Sequence, residues 1–201
     1  MPSMKILLIA GGWSSEREVS LTGARGMQEA LLKRGHAVTF FDLLENFDEL
    51  LETARQHDFA LINLHGSPGE DGLVQAMLEK ADCPYQGSGP SGSFLALNKA
   101  AAKQIFRMAG LPTADWEFLP VRPAEGWEPR LPWPLFVKTT TGGSSLRLGR
   151  AINRQELDAL MDEIFAAGEG VLIEPQLPGK EITCGILGEE AMPPILIEPV
   201  A

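Results

Sequence analysis

Cysteine is scarce in this sequence: only Cys83 and Cys184 occur, far apart and outside any CxxC spacing. That pattern argues against a disulfide framework or a cysteine-based zinc site, and it suits a reducing compartment. Long apolar runs are also missing. None approaches the roughly 20 residues that a membrane helix needs. The run at residues 6–10 is too short for a secretory leader and passes straight into Gly11-Gly12. Positive charge is in deficit. Lys and Arg number 17 against 27 Asp and Glu, a net charge of −10. That is the wrong sign for a nucleic-acid or anionic-membrane partner. The expectation is a cytoplasmic protein that binds neither nucleic acid nor membrane.

What the sequence does have is apolar substance. Hydrophobic residues make up 44% of the 201, enough for a packed core in one ordinary domain or two small ones. Residues 5–10, 37–41 and 59–64 are short apolar runs closed by turn residues and read as buried strands. Between them, residues 16–34 show helical periodicity, with Ser14 or Ser15 as a cap and Gly35 as the stop, and residues 47–55 read as a weaker helix. A further helix is expected at 73–80. Strand and helix in alternation predict an α/β unit, a parallel sheet with helices on both faces.

The character changes near residues 87–90. A long helix is predicted over 94–109, then a strand at 116–119 and a proline-rich connection at 121–134. Strands are expected at 134–138 and 146–151, a helix at 154–167, and strands at 171–174, 181–187 and 195–198. This half reads as antiparallel strands with helices on one face, an α+β pattern.

Polar residues gather at particular turns. GGWSSEREVS (11–20) follows the first strand and opens a helix, on the sheet edge where ligands bind in parallel α/β folds. It is not GxGxxG, so a dinucleotide fingerprint is not supported, and a plain strand–helix turn fits it equally well. HGSPGEDG (65–72) follows the third strand on the same edge. A turn is again possible, but two such segments on one edge favour a ligand site. Lys138 ends a strand before a Gly/Ser loop, an arrangement that can hold phosphate; a hairpin turn is the alternative. The segment 174–181, with two prolines and a glycine, reads by itself as a stiff connection with solvated acids.

Set in order, GGWSSEREVSLTGA (11–24), HGSPGEDG (65–72), PYQGSG (84–89), NKAAAK (98–103), AGLPTADW (109–116), FVKTTTGGSS (136–145), VLIEPQLPGKEIT (171–183) and PPILIEP (193–199) resemble the D-alanine–D-alanine ligases of the ATP-grasp superfamily. The resemblance implies a Rossmann-like substrate-binding domain over residues 1–95. Residues 96–201 would form a truncated ATP-grasp domain. It implies ATP-dependent joining of two D-alanines through an acyl phosphate, for peptidoglycan precursor synthesis. Glu16 would receive the ammonium of the first D-alanine and His65 would lie near its carboxylate. Lys99 and Lys138 would contact the phosphates of ATP, with Ser144 and Ser145 over the reacting groups. Glu174 would meet the adenine amino group, the backbone of Pro175, Gln176 and Leu177 would line the adenine slot, and Glu181 would bind the ribose. Mg²⁺ would act with ATP, its ligands in a C-terminal segment beyond Ala201, so that no metal ligand is expected in this chain and the chain by itself is expected to be inactive. Family members are often homodimers.

The sequence departs from the family's pattern at four points. Asn98 replaces Asp, Thr139 replaces Pro, Gly142 replaces Glu, and Arg147 replaces Gly. The departures and the missing segment leave two alternatives open. One is a non-catalytic relic that binds nucleotide or a partner. The other is a ligase for a different carboxylate and amine.

Overall fold

The computed structural model describes residues 2–143 and 147–198. The first half alternates as expected: β1 (Lys5–Ala10), α1 (Arg17–Lys33), β2 (Ala37–Asp42), α2 (Leu43–Asn46), a 3₁₀ turn (Phe47–Glu49), α3 (Leu50–Ala54), β3 (Phe59–Ile62) and α4 (Leu73–Lys80). The strands form a parallel sheet in the order β2-β1-β3. Leu7 and Ile9 point into a core shared with Leu43, Leu50, Val74 and Leu78, while Leu8 and Ala10 pack with Ala24 of α1 on the opposite face. Burial on both faces explains why β1 is continuously apolar rather than alternating.

The expected serine cap of α1 is not there. Glu16 occupies the cap position and no side chain caps the helix, while Ser14 Oγ accepts from Glu16 N at 3.2 Å. The helix expected over 94–109 is two helices, α5 (Pro90–Leu97) and α6 (Lys99–Met108). Asn98 sits between them with extended backbone, and its side chain accepts from Ala101 N at 3.1 Å, capping α6. An aspartate would accept the same bond, so this departure from the family pattern keeps its local function.

The second half contains β4 (Glu117–Leu119), β5 (Leu135–Thr139), β6 (Leu148–Ala151), α7 (Arg154–Ala166) and β7 (Val171–Pro175). These strands form an antiparallel sheet, β4-β7-β5-β6. Alternation sorts its two faces. Leu135, Val137, Ala151, Val171 and Ile173 pack with Leu157, Met161 and Ile164 of α7. The other face carries Phe136, Lys138, Leu148, Leu172 and Glu174, as the pairings Phe136↔Glu174, Lys138↔Leu172 and Lys138↔Leu148 require. The expected strand over 181–187 is divided into β8 (Glu181–Thr183) and β9 (Ile186–Leu187). β9 pairs with β10 (Glu190–Ala191), and β8 pairs with β11 (Ile195–Ile197).

Candidate functional site

Two structural surfaces carry the polar residues. The first is the carboxyl edge of the parallel sheet. Because β1 and β3 run parallel, the turns after Ala10 and Ile62 leave the same edge, which places Glu16 and His65 on one side of the molecule. The turn after β1 is held by an ion pair. Arg17 Nη1 and Nη2 donate to the two carboxylate oxygens of Asp42 at 2.7 and 2.6 Å, and Nη1 also reaches Gly12 O at 3.2 Å. Gly11 lies directly beneath this clasp. A Cβ there would fall 2.4 Å from Arg17 Nη1 and 2.6 Å from Asp42 Oδ1, and its φ of +78° suits glycine. The hydrogen bond from Arg17, helped by its charge, holds the Asp42 carboxyl below its ordinary pKa despite partial burial. The helix start is anchored from the other side as well. Ser20 Oγ accepts from Gly11 N at 2.8 Å, and Asn63 Nδ2 donates to Ser20 O at 2.6 Å.

The second surface is the face of the antiparallel sheet turned away from α7. Lys138 on β5 and Glu174 on β7 are diagonal cross-strand neighbours there, within reach of long side chains. Helix α6 brings the third member. Lys99 and Lys103 are four residues apart, so they project from one side of the helix. Lys103 meets Glu174 Oε1 at 2.5 Å, and Lys138 pairs with Glu174 Oε2. Lys103 also donates to Thr113 Oγ1 at 2.7 Å and lies 5.1 Å from the centre of the Trp116 ring, with Arg107 stacked on the same ring at 4.5 Å. Burial by itself would raise the Glu174 pKa. The hydrogen bonds and charges of Lys103 and Lys138 outweigh it, and the carboxyl lies below its ordinary value. Lys99 donates to Gly142 O at 2.7 Å. Its burial, and then the nearby charge of Lys138, lower its pKa against the opposing pull of Glu169 and Glu174.

The residues expected from the sequence therefore fall into groups. Lys99 and Lys138 approach each other, but neither ammonium is free to face a cleft unopposed: one is on Gly142 O and the other on Glu174. Glu174 is a half-buried strand residue, not a solvated acid of a connection. A cavity of about 310 Å³ opens beside it, lined by Ala114, Phe136, Lys138, Leu148, Glu174, Pro175 and Leu177. Gln176 lies between the lining residues Pro175 and Leu177, but its backbone N–H donates to Pro134 O at 2.8 Å and its side chain accepts from Arg150 at 2.7 Å. Glu181 is exposed on β8, outside that lining. Ser144 and Ser145 lie outside the described residues.

Glu16 connects the two surfaces. Its Oε2 is 4.0 Å from where a Cβ on Gly66 would sit and 3.8 Å from the corresponding point on Gly143. The carboxylate thus lies between the 65–72 turn and the loop that follows Lys138. Backbone bonds tie that loop further: Lys99 N donates to Thr140 O at 2.8 Å, and Thr140 N to Gly170 O at 3.1 Å.

Sequence reading missed Lys103, and its signal was available. It repeats Lys99 at helical spacing inside NKAAAK, and Arg107 continues the stripe. It also missed the apolar walls Phe136 and Leu148, which alternation with Lys138 across β5 and β6 identifies. Two departures from the family pattern have a structural reading. Gly142 has φ +88°, a conformation in which glutamate would be strained, and Arg147 has φ +51°, where glycine is the unstrained residue.

Among the described residues, no three His, Cys, Asp or Glu side chains cluster as a metal site would require. No helix among them is long and apolar enough to cross a membrane.

Comparison with known proteins gives a consistent result. A family profile described as "D-ala D-ala ligase C-terminus" matches residues 104–199. A D-alanine–D-alanine ligase of Desulfovibrio desulfuricans is 75% identical over 198 residues, covering 98% of this chain and 65% of that protein. One from Nitratidesulfovibrio vulgaris is 62% identical over 196 residues, with the same coverages of 98% and 65%. Among solved structures, D-alanine–D-alanine ligase from Bacillus anthracis complexed with ATP superposes with a TM-score of 0.89 at 35% identity, covering 99% of this chain and 67% of that one. The chain spans about 65% of the length of the curated relatives it matches.

Proposed function

The chain belongs to the D-alanine–D-alanine ligase family, and from that premise we propose that it supplies the substrate edge and the nucleotide face of an ATP-dependent ligase that joins two D-alanines through an acyl phosphate. The observation that carries the proposal is the position of Glu16. Its carboxylate lies at the sheet edge, and its Oε2 is 3.8 Å from where a Cβ on Gly143 would sit, in the loop that follows Lys138. An amino acid held at Glu16 and a phosphate held at Lys138 would therefore meet in one place.

In this reading Glu16 accepts the ammonium of the first D-alanine, and His65, on the same edge, faces its carboxylate. Lys99 and Lys138 neutralise phosphate oxygens. For Lys138 this requires the ammonium to be shared between Glu174 and the incoming phosphate. Glu174, Pro175 and Leu177 take the base in the 310 Å³ cavity between Phe136 and Leu148. Ser144 and Ser145 would cover the reacting groups, and Glu181 would reach the ribose. Fixed cations beside the transferred phosphoryl group stabilise its charge, and a closed loop shields the acyl phosphate from water. Mg²⁺ is the expected companion of ATP, and when bound it would help neutralise the phosphate charge. Among the described residues, no three His, Cys, Asp or Glu side chains cluster to hold it.

We place the division between the substrate-binding domain and the ATP-grasp domain at residues 95 and 96. We also propose a cytoplasmic homodimer. Supporting the dimer, Leu73, Phe94 and Leu95 are 41%, 61% and 38% exposed around one shallow apolar cavity. A second reading, a nucleotide-binding relic without ligase chemistry, is favoured by Arg147 in its left-handed backbone at the end of the phosphate loop. One experiment tests the nucleotide face that both readings share, and excludes the relic if phosphate is released: ATP binding and D-alanine-dependent phosphate release by the purified chain with Mg²⁺. The expected result is weak ATP binding, on the order of millimolar or about −4 kcal/mol, with no turnover by the 201-residue chain. Turnover at about 1–10³ s⁻¹ refutes the expected inactivity, and absence of any ATP binding refutes the nucleotide face.

A further inference from the structure

We propose that Lys103 is a positioning residue for base selection: by fixing the Glu174 carboxylate at the cavity wall, it makes this cleft favour a purine with an exocyclic amino group over a 6-oxo purine. The inference rests on the nucleotide reading of the 310 Å³ cavity. Lys103 does not line that cavity and touches no ligand position in it. It is 7% exposed, and its three donors are accounted for by its surroundings. One meets Glu174 Oε1 at 2.5 Å, one meets Thr113 Oγ1 at 2.7 Å, and the ammonium lies over the Trp116 ring at 5.1 Å. Arg107 presses on the same ring, so the aromatic floor beneath Lys103 is itself held in place.

The consequence falls on Glu174. An ionised carboxylate is an acceptor only, with about four lone-pair positions on two oxygens. Lys103 takes one position on Oε1 and Lys138 one on Oε2. The remaining positions can only accept, so they favour a ligand group that donates. An amino group satisfies them, whereas a ring carbonyl brings lone pair against lone pair and leaves a half-buried charge unsatisfied. Sites built around a hydrogen bond reject analogues that lack the partner far more strongly than apolar slots do. Lys103 enforces this in two ways: it keeps the carboxyl ionised, and it stops Glu174 from turning toward Lys138 alone. Without Lys103 the carboxyl can rotate or take up a proton, and a carboxylic acid donates to a carbonyl as readily as it accepts from an amine.

The test compares ATP, ITP and inorganic triphosphate binding to the chain, to Lys103→Met, which keeps the length of the stem, and to Lys103→Arg, which restores the charge. Expected is a parent preference for ATP over ITP of about tenfold or more, since one such contact is worth about 1.4 kcal/mol or more. Lys103→Met should bring the ratio down about tenfold, toward one, with triphosphate affinity changed by less than about twofold. Lys103→Arg should recover part of the ratio. The Glu174 carboxyl, followed by ¹³C NMR, should titrate at higher pH in Lys103→Met than in the parent. An unchanged ATP:ITP ratio in a folded Lys103→Met overturns the proposal, as does an equal loss of all three ligands, which is the mark of a merely structural role. Should Lys103→Met fail to fold, Thr113→Val removes one anchor of the same ammonium. A reduced ratio there supports the proposal and an unchanged one overturns it. A parent that binds no triphosphate overturns the nucleotide reading and this inference with it, whereas a parent that binds triphosphate and ATP but shows no preference overturns this inference alone.

Discussion

Replacing Glu174 with glutamine keeps the shape of the side chain and removes its charge, which tests how the antiparallel half is held together. The Glu174 side chain is 12% exposed, and its partners Lys103 and Lys138 are 8% and 27% exposed. Removing one partner of a buried ion pair costs about 3–5 kcal/mol, because a charge is left without compensation. Two features place this case at the lower end. Lys138 can relax toward solvent, and the amide oxygen of glutamine still accepts one hydrogen bond. The expected loss is about 3 kcal/mol, or roughly 6–12 °C in Tm for a chain of this size. Glu29→Gln provides the control, since its partner Lys33 is 79% exposed and Glu29 itself 74%; that change should cost under about 0.5 kcal/mol. The assay is urea unfolding of both variants and the parent. A shifted midpoint with an unchanged slope reports stability itself. If Glu174→Gln loses less than about 1 kcal/mol, or no more than the control, the argument from burial is wrong.

The pH dependence follows from the same group. The pKa of Glu174 and that of Asp42 are depressed in the folded chain, so their contribution is complete above the unfolded carboxylate value of about 4 and disappears as pH falls through the folded values. Urea midpoints should therefore drop steeply in acid, and less steeply for Glu174→Gln; equal slopes would rule out Glu174 as a source. Lys138→Ala should weaken ATP binding about tenfold to a hundredfold by titration, and unchanged affinity would remove Lys138 from the phosphate site. Arg147→Gly should raise stability by about 0.5–1 kcal/mol, the left-handed strain of about 1–2 kcal/mol less the entropy that glycine adds to the unfolded chain. A lower urea midpoint would show that the Arg147 side chain contributes more than its backbone costs.

The parallel half was readable because its strands are short apolar runs bounded by turn or polar residues, and β1 was read to its observed ends. The long helix expected over 94–109 failed for a local reason. Apolar residues continue across Asn98, while the asparagine stops one helix and caps the next. The carboxyl-edge placement of Glu16 and His65 followed from strand direction alone. The Glu174 cluster did not, because Lys103, Lys138 and Glu174 come from a helix and two strands. The antiparallel register sets Lys138 beside Glu174 and the placement of α6 adds Lys103, and no periodicity in the chain encodes either. Read without a partner, Glu174 beside two prolines looked like a solvated connection. The strands β9 and β10 are too short to leave an alternating pattern.

The hydrogen bond from Lys99 N to Thr140 O has a consequence for how such a chain can diverge. It hangs the start of α6 from the end of β5, so the spacing of Lys99 and Lys138 is set across the fold and not along the sequence between them. Residues 121–134 loop out from that closed arrangement and are tied back to the strands near their C-terminal end, by Pro134 O accepting from Gln176 N, by Arg130 N donating to Glu117, and by Trp127 and Leu131 packing on the core. Insertions and deletions around Glu125 and Gly126, within an exposed turn, should thus accumulate in natural variants without shifting either lysine. A single residue added between Lys138 and Thr140 would displace the suspension point itself and separate the pair.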